Sequence, residues 1–452
     1  MGAFHRNTKT DTDLNLDDLE RATFGYFDRC TDPDTGLVRD NTRNDSPATI
    51  AGSGMALGCY VVAAERGYLS RSEAVRRVLL SLRFLWHADQ DGRKDGTGSH
   101  GFFYHFLDPR TGKRVWNSEI STIDSAIAFA GALAAARYFT ADSEDESEIR
   151  RLADAIYRRA DWQWASPRAP RISMGWKPEK GFLRYDWSGY DESMMLCLLA
   201  LGSPTYPVRS EAYAAWTSTY RWKRIYGHEF LYGGPLFVHQ GSHVWIDFRD
   251  IQDEVMRERG LDYFENSRRA TLIQREYARR NPRGFAGYNE NCWGITASDG
   301  PGHATKVVNG TRRRFFGYHA RGVPFGPDDG TLSPWVTATS LPFAPDLTLE
   351  ALDHITTFYP AITGEFGYKC SFNPTFPVDE AGDAKKGSHG WMSAGYYAID
   401  QGPLVLMLEN YRSELIWRLM RGCPYVVSGL QRAGFTGGWL DDLPSEDPKS
   451  SS

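Results

Sequence analysis

Apolar residues recur at helical spacing along most of this chain, and polar, Gly-rich or Pro-rich stretches interrupt them. The pattern predicts helices over 16–30, 51–66, 70–86, 120–140, 147–160, 191–201, 209–220, 267–280, 333–341, 347–358 and 403–420. Strand-like runs are few and short, the clearest being 101–106. Two of the predicted helices have no polar face: the Ala-rich stretch from Ile123 to Ala136, and Met194 to Leu201. A helix apolar all round is buried on every side, so these two belong to an inner layer, and amphipathic neighbours such as 70–86 cover them. The expectation is an all-α protein, an (α/α)6 toroid with inner and outer helices and long loops gathered at one end. One catalytic domain over 16–439 is expected between a polar arm, 1–15, and a disordered tail, 440–452. The loop 294–329, rich in Gly, Arg and Asp, reads as a rim or lid.

Helices arranged in this way direct attention to the acids at their N-terminal ends. Asp400 is a lone carboxyl among aromatic and small apolar residues, with Trp391 upstream and Gln401 beside it. A carboxyl in that wrapping suits chemistry or sugar recognition. Glu192 stands directly ahead of the most apolar helix, among Trp187, Tyr190 and Asp191. Ring faces and one like charge favour its protonated form, as a general acid requires; the alternative is an ordinary helix cap. Glu119 and Asp124 lie at the entry to the other apolar helix, and either bind hydroxyls or cap the backbone. Tyr288, Glu290 and Trp293 share a segment with Asn289 and Asn291, where amides and a carboxylate could meet hydroxyls while rings stack on sugars.

Composition sharpens this picture at one point. Among 452 residues 13% are aromatic, including 14 Trp and 23 Tyr, a supply of flat apolar faces suited to carbohydrate rings as well as to a core. A net charge of -5 leaves no electrostatic footprint for nucleic acid or an anionic membrane. The six cysteines form no Cys-x-x-Cys pair, and the eleven histidines no His-x-x-x-His pair. No metal or organic cofactor is expected. No stretch is long and apolar enough to span a bilayer, and the first ten residues lack an apolar signal segment, so a soluble protein is expected.

Ordered motifs along nearly the whole chain resemble the bacterial glycoamylase-like family of (α/α)6 toroids, which includes the endo-β-1,2-glucanases of glycoside hydrolase family 144. They are Gly36-Leu-Val-Arg-Asp40, Ser118-Glu-Ile-Ser-Thr-Ile-Asp124, Gly189-Tyr-Asp-Glu192, Tyr232-Gly-Gly-Pro-Leu-Phe237, Asn291-Cys-Trp-Gly-Ile-Thr-Ala-Ser-Asp299 and Ala398-Ile-Asp-Gln-Gly-Pro403. The resemblance implies an inverting glycoside hydrolase acting on an oligo- or polysaccharide, β-1,2-glucan with endo action being the expected case. It implies Glu192 as the general acid and Asp400 as the base or the start of a proton relay, with Glu119, Asp124 and Glu290 lining the cleft. The segment 166–181 and the Arg-rich run 311–315 depart from the family pattern and bear on linkage and on endo or exo action. The alternatives are a transglycosylase or phosphorolytic enzyme on the same toroid, a hydrolase of another glycan, a glucan-binding protein without turnover, and a sugar epimerase. The last would use a His pair, with His100, His105 and His389 as the nearest candidates.

Overall fold

The computed structural model describes residues 15–377 and 390–443. The expected arm, the end of the tail and His389 therefore lie outside the described residues, apart from Asn15 and residues 440–443. Fourteen α-helices are present among those described: α1 Leu16–Cys30, α2 Ile50–Arg66, α3 Arg71–His87, α4 Thr122–Tyr138, α5 Glu144–Arg159, α6 Met194–Gly202, α7 Glu211–Thr217, α8 Glu254–Arg259, α9 Tyr263–Arg280, α10 Pro334–Ala338, α11 Pro345–Phe358, α12 Ala398–Ser413, α13 Leu415–Arg421 and α14 Pro424–Arg432. None is long and apolar enough to cross a membrane.

Local chemistry explains where they begin. Asn15, Ser70, Ser121, Ser143, Asp253 and Asp262 each accept a hydrogen bond from backbone N–H groups of the following turn, supplying partners that the first turn of a helix lacks. Sequence patterning misplaced one important boundary. The expected helix over 403–420 is two helices, α12 and α13, parted at Glu414, whose φ of 58° is left-handed. Pro403 does not open α12; it lies inside it, and Asp400 occupies the first turn. Proline is favoured at a helix start, but here Asp400 to Asn410 are all buried, and packing carries the helix back past it.

Helices α2 and α4 are buried along most of their length, as their apolar pattern requires. They touch backbone to backbone. A Cβ on Gly131 would sit 2.0 Å from the Gly54 carbonyl oxygen, and one on Gly54 would sit 2.5 Å from Ala128 Cα, so neither position has room for a side chain. Around this pair, α4 also packs on α6, α2 on α12, and α12 on α10. Met195 N donates to Ser242 Oγ at 3.1 Å, joining α6 to the 3-10 turn Gly241–Val244. Gln240 Nε2 donates to the Val336 carbonyl at 3.0 Å and Ser340 Oγ at 2.8 Å, joining that region to α10. Amphipathic helices cover these elements: α1 lies on α12, α3 on α2 and α5, α5 on α4, and α14 on α6.

The chain is helix-rich, and short antiparallel strands occur throughout the loops. The largest sheet runs Gly98–Ser99, Phe102–Tyr104, Ile120–Ser121, Gly175–Lys177 and Gly181–Phe182. Strands of two or three residues leave little periodicity in a sequence, and these depend on pairing with distant segments. The fourth strand lies within the unmatched segment 166–181. The run 311–315 likewise pairs with Ala304–Val308 as a hairpin.

The segment 294–329 is pinned by a fully buried ion pair. Arg321 donates to Asp329 Oδ1 at 2.7 Å and Oδ2 at 3.0 Å, to the Ser298 carbonyl at 2.8 Å and to the Gly317 carbonyl at 3.1 Å. Removing the guanidinium strands the Asp329 charge. Arg321→Ala is expected to lower stability by ~3–5 kcal/mol, read from urea unfolding; a loss under about 1 kcal/mol would contradict this role.

Candidate functional site

The site is best built from its strands outward. Tyr104 pairs with Ile120, and His105 N donates to the Glu119 carbonyl at 2.8 Å. This register sets the His105 ring beside the Glu119 carboxyl, with Nδ1 and Oε1 2.9 Å apart. The other ring nitrogen, Nε2, lies 3.6 Å from Asp124 Oδ1. Asp124 is held in the first turn of α4, where its N–H donates to Ser121 Oγ at 3.2 Å and its carboxyl accepts from the Ser121 hydroxyl. Burial alone would discourage a charged imidazole, but Asp124, Glu119 and Asp40 around it raise His105 to about 9. At neutral pH it is an imidazolium. Burial would also raise Glu119, yet the His105 hydrogen bond and charge bring it below the ordinary range.

Glu192 enters from the turn ahead of α6. The turn is held by its neighbour Asp191, which accepts from Ser193 N at 2.9 Å and Trp216 Nε1 at 3.3 Å. Glu192 is free to face a cavity of about 290 Å3, which it lines together with Asp400, Met55, Gln240, Tyr318 and Trp335. The residue as a whole is half-buried. Burial, then the nearby charges of Asp124 and Asp191, push its carboxyl up to about 8, although His105 opposes them.

Asp400 reaches the same cavity from the first turn of α12, whose N-terminus is tied to the loop carrying Asp40 by Ala398 N donating to the Asp40 carbonyl at 2.8 Å. Its carboxyl is nearly inaccessible, and Oδ2 has no hydrogen-bond partner. Burial raises it well above the usual aspartate range; the Cys370 thiol hydrogen bond works against this, while Asp40 and Asp299 add to it. Asp299 is anchored by Arg43 at 2.6 Å and by the Ser393 hydroxyl at 3.0 Å. All six cysteines, Cys370 included, are free thiols.

The remaining residues singled out in sequence fall elsewhere. Trp187 is buried and donates its indole N–H to Thr122 Oγ1 at 2.9 Å. Tyr190 packs among Tyr220, His239 and Tyr263. Tyr288 is buried and donates to Asp328 Oδ1 at 2.7 Å, while Trp293 is wholly inside the core. Glu290 is exposed on a turn outside the cavity wall. Gln401 is buried and donates to the Tyr368 carbonyl at 2.9 Å, and Trp391 is half-buried in a strand paired with Phe372–Asn373. None of these lines the cavity, and neither do Glu119, Asp124 or His105, although the charges of Asp124 and His105 act on Glu192. Sequence reasoning passed over Asp40 and Asp299, gave no specific role to His105, and missed Tyr318, whose ring lines the cavity while 56% exposed. His100 is outside the site, stacked on Trp164 at 4.3 Å. Among the described residues no His pair lines the cavity. No cluster among them is arranged to hold a metal ion.

Comparison with known proteins places this geometry. The sequence model of the Glycoamylase family, described as "Putative glucoamylase", matches residues 184–424, slightly more than half of the chain. A curated relative, the exo-β-1,2-glucooligosaccharide sophorohydrolase (non-reducing end) of Parabacteroides distasonis, is 29% identical over 94% of this chain, which spans only 58% of that relative's length. A crystal structure of a "putative glucoamylase" from Bacteroides uniformis superposes with a TM-score of 0.82 at 31% identity, covering 94% of this chain and 99% of its own. An endo-β-1,2-glucanase from Chitinophaga pinensis, solved with sophorotriose and glucose, superposes at 0.81 with 27% identity over 94% of this chain and 100% of its own. The segment matched by the family runs through both Glu192 and Asp400, and the chain belongs to the Glycoamylase family.

Proposed function

We propose that this protein is a β-1,2-glucan hydrolase in which Glu192 protonates the leaving glycosidic oxygen and Asp400 activates water on the opposite face, with inversion at the anomeric carbon. The observation carrying this reading is that two carboxyls 208 positions apart in sequence line one cavity of a size suited to sugar units. Relatives that act on β-1,2-linked glucose support the choice of linkage. The same reading takes 16–439 as one catalytic domain and the helix packing as an (α/α)6 toroid. In that ring α2, α4, α6, the 3-10 turns around Gln240, α10 and α12 form the inner circle. The cycle of pairwise contacts described above supports it.

The chemistry follows from the local electrostatics. A general acid must still hold its proton at the working pH, and Glu192 does so up to about 8. The base must be ionised when it acts; a carboxylate whose proton affinity has been raised is a stronger base once it has lost its proton. His105, Glu119 and Asp124 form a charged shelf for sugar hydroxyls, and Tyr318 offers a ring face at the cavity wall.

The pH profile of kcat/KM tests this division of labour. Activity should fall as pH rises through about 8, when Glu192 loses its proton, and also as pH drops through the raised value of Asp400, when the base is neutralised. The result is a narrow bell with its acidic limb above the ordinary aspartate range. A flat profile between pH 4 and 9 would contradict both roles. Product length decides the mode of attack: a ladder of oligosaccharides marks endo cleavage, and release of sophorose alone marks exo cleavage.

A further inference from the structure

We infer that Trp116 and the depression beside it form an outlying glucosyl-binding subsite, which holds a unit of the glucan chain beyond those in the cleavage cavity. This inference rests on the reading of the protein as a β-1,2-glucan hydrolase. Trp116 is 67% exposed, a large apolar surface for a single side chain to leave in water. Its backbone has φ of 56° and that of Asn117 has 49°, two successive left-handed positions without glycine. Such a conformation persists only where surrounding structure enforces it.

The enforcing contacts are visible. The Arg114 side chain is almost fully buried, bonded to Glu179 at 2.7 and 3.1 Å and to the Ser118 carbonyl, and its guanidinium lies 4.7 Å over the Tyr104 ring. Lys177 Nζ donates to the Asn117 carbonyl at 2.8 Å, and Ser118 Oγ bonds both the N–H and the carbonyl of Phe106. The turn is clamped at both ends, and what it presents to solvent is an indole face. A rigid exposed ring binds a sugar with little ordering cost.

Two further features tie this ring to a saccharide. The depression beside it measures about 280 Å3 and is lined by the exposed side chains of Arg39, Asp45 and Arg110, groups that hydrogen-bond vicinal hydroxyls. The ring is also continuous with the proposed sugar-binding shelf. Trp116 lies 5.0 Å from Phe106, and Phe106 stacks on His105 at 4.0 Å, so apolar faces lead from the depression to the His105, Glu119 and Asp124 shelf. On the other side Arg39 immediately precedes Asp40, which flanks Asp400.

The test compares wild type, Trp116→Ala and Trp116→Phe on long linear β-1,2-glucan and on the shortest β-1,2-oligosaccharide that wild type cleaves. The ratio of kcat/KM for long over short substrate should fall about tenfold in Trp116→Ala, mainly through KM, and less in Trp116→Phe. An unchanged ratio overturns the subsite. If wild type cleaves no β-1,2-glucan, the functional reading itself fails, and binding then decides the subsite. Long β-1,2-glucan should be bound by the intact protein and about tenfold more weakly by Trp116→Ala; equal binding, or none by wild type, overturns it.

Discussion

Glu192→Gln should lower kcat on β-1,2-glucan by ~10²–10⁴-fold, the usual contribution of a positioned general acid, while leaving the fold intact. The side chain caps no helix, and its surroundings already favour an uncharged group. An amide is therefore well tolerated where a charge is not. The deficit should depend on the leaving group. An aryl glycoside whose phenol departs without a proton should be cleaved nearly as fast by the variant as by wild type, and the basic limb of the pH profile near 8 should disappear. Retention of more than about a tenth of wild-type turnover on the polysaccharide would remove Glu192 from the acid role.

Asp400→Asn should be comparably damaging, ~10²–10⁴-fold in kcat, but with a different signature. An activated leaving group does not relieve the need to deprotonate water, so the aryl glycoside should be lost together with the polysaccharide. Azide, which attacks without giving up a proton, should restore part of the rate on that substrate. Folding should survive, because the carboxyl is already held toward its neutral form and only one of its oxygens has a partner. If Asp400→Asn instead spares the aryl glycoside and Glu192→Gln does not, the two roles are reversed.

Much of this arrangement was legible in the chain. An Ala-rich run and a Met-Leu-Cys-Leu-Leu run can only be buried helices, and an acid at the mouth of each is conspicuous against so apolar a background. Asp124 and Glu192 stood out for that reason, and Asp400 for its wrapping of aromatic and small apolar residues; of the three, Glu192 and Asp400 line the cavity. Their partners did not stand out, because long-range pairing delivers them. His105 meets Glu119 only through the Tyr104 and Ile120 register, and Asp40 reaches Asp400 only because its carbonyl receives the Ala398 N–H.

Aromatic residues were the least legible. Trp187, Tyr288 and Trp293 looked like sugar platforms, yet all three are buried, and the polar tips of Trp187 and Tyr288 are satisfied within the protein. Trp116 and Tyr318, which do face outward, had nothing in their local sequence to distinguish them. Whether a ring packs inward or meets solvent is decided by neighbours that lie far away along the chain.

The most direct measurement incubates purified wild type and Glu192→Gln side by side with linear β-1,2-glucan and with β-1,3-, β-1,4- and α-1,4-glucans, following products by chromatography. The account predicts oligosaccharides from β-1,2-glucan alone, and almost none from the variant. Cleavage of another linkage in preference, or equal product from both proteins, would contradict it.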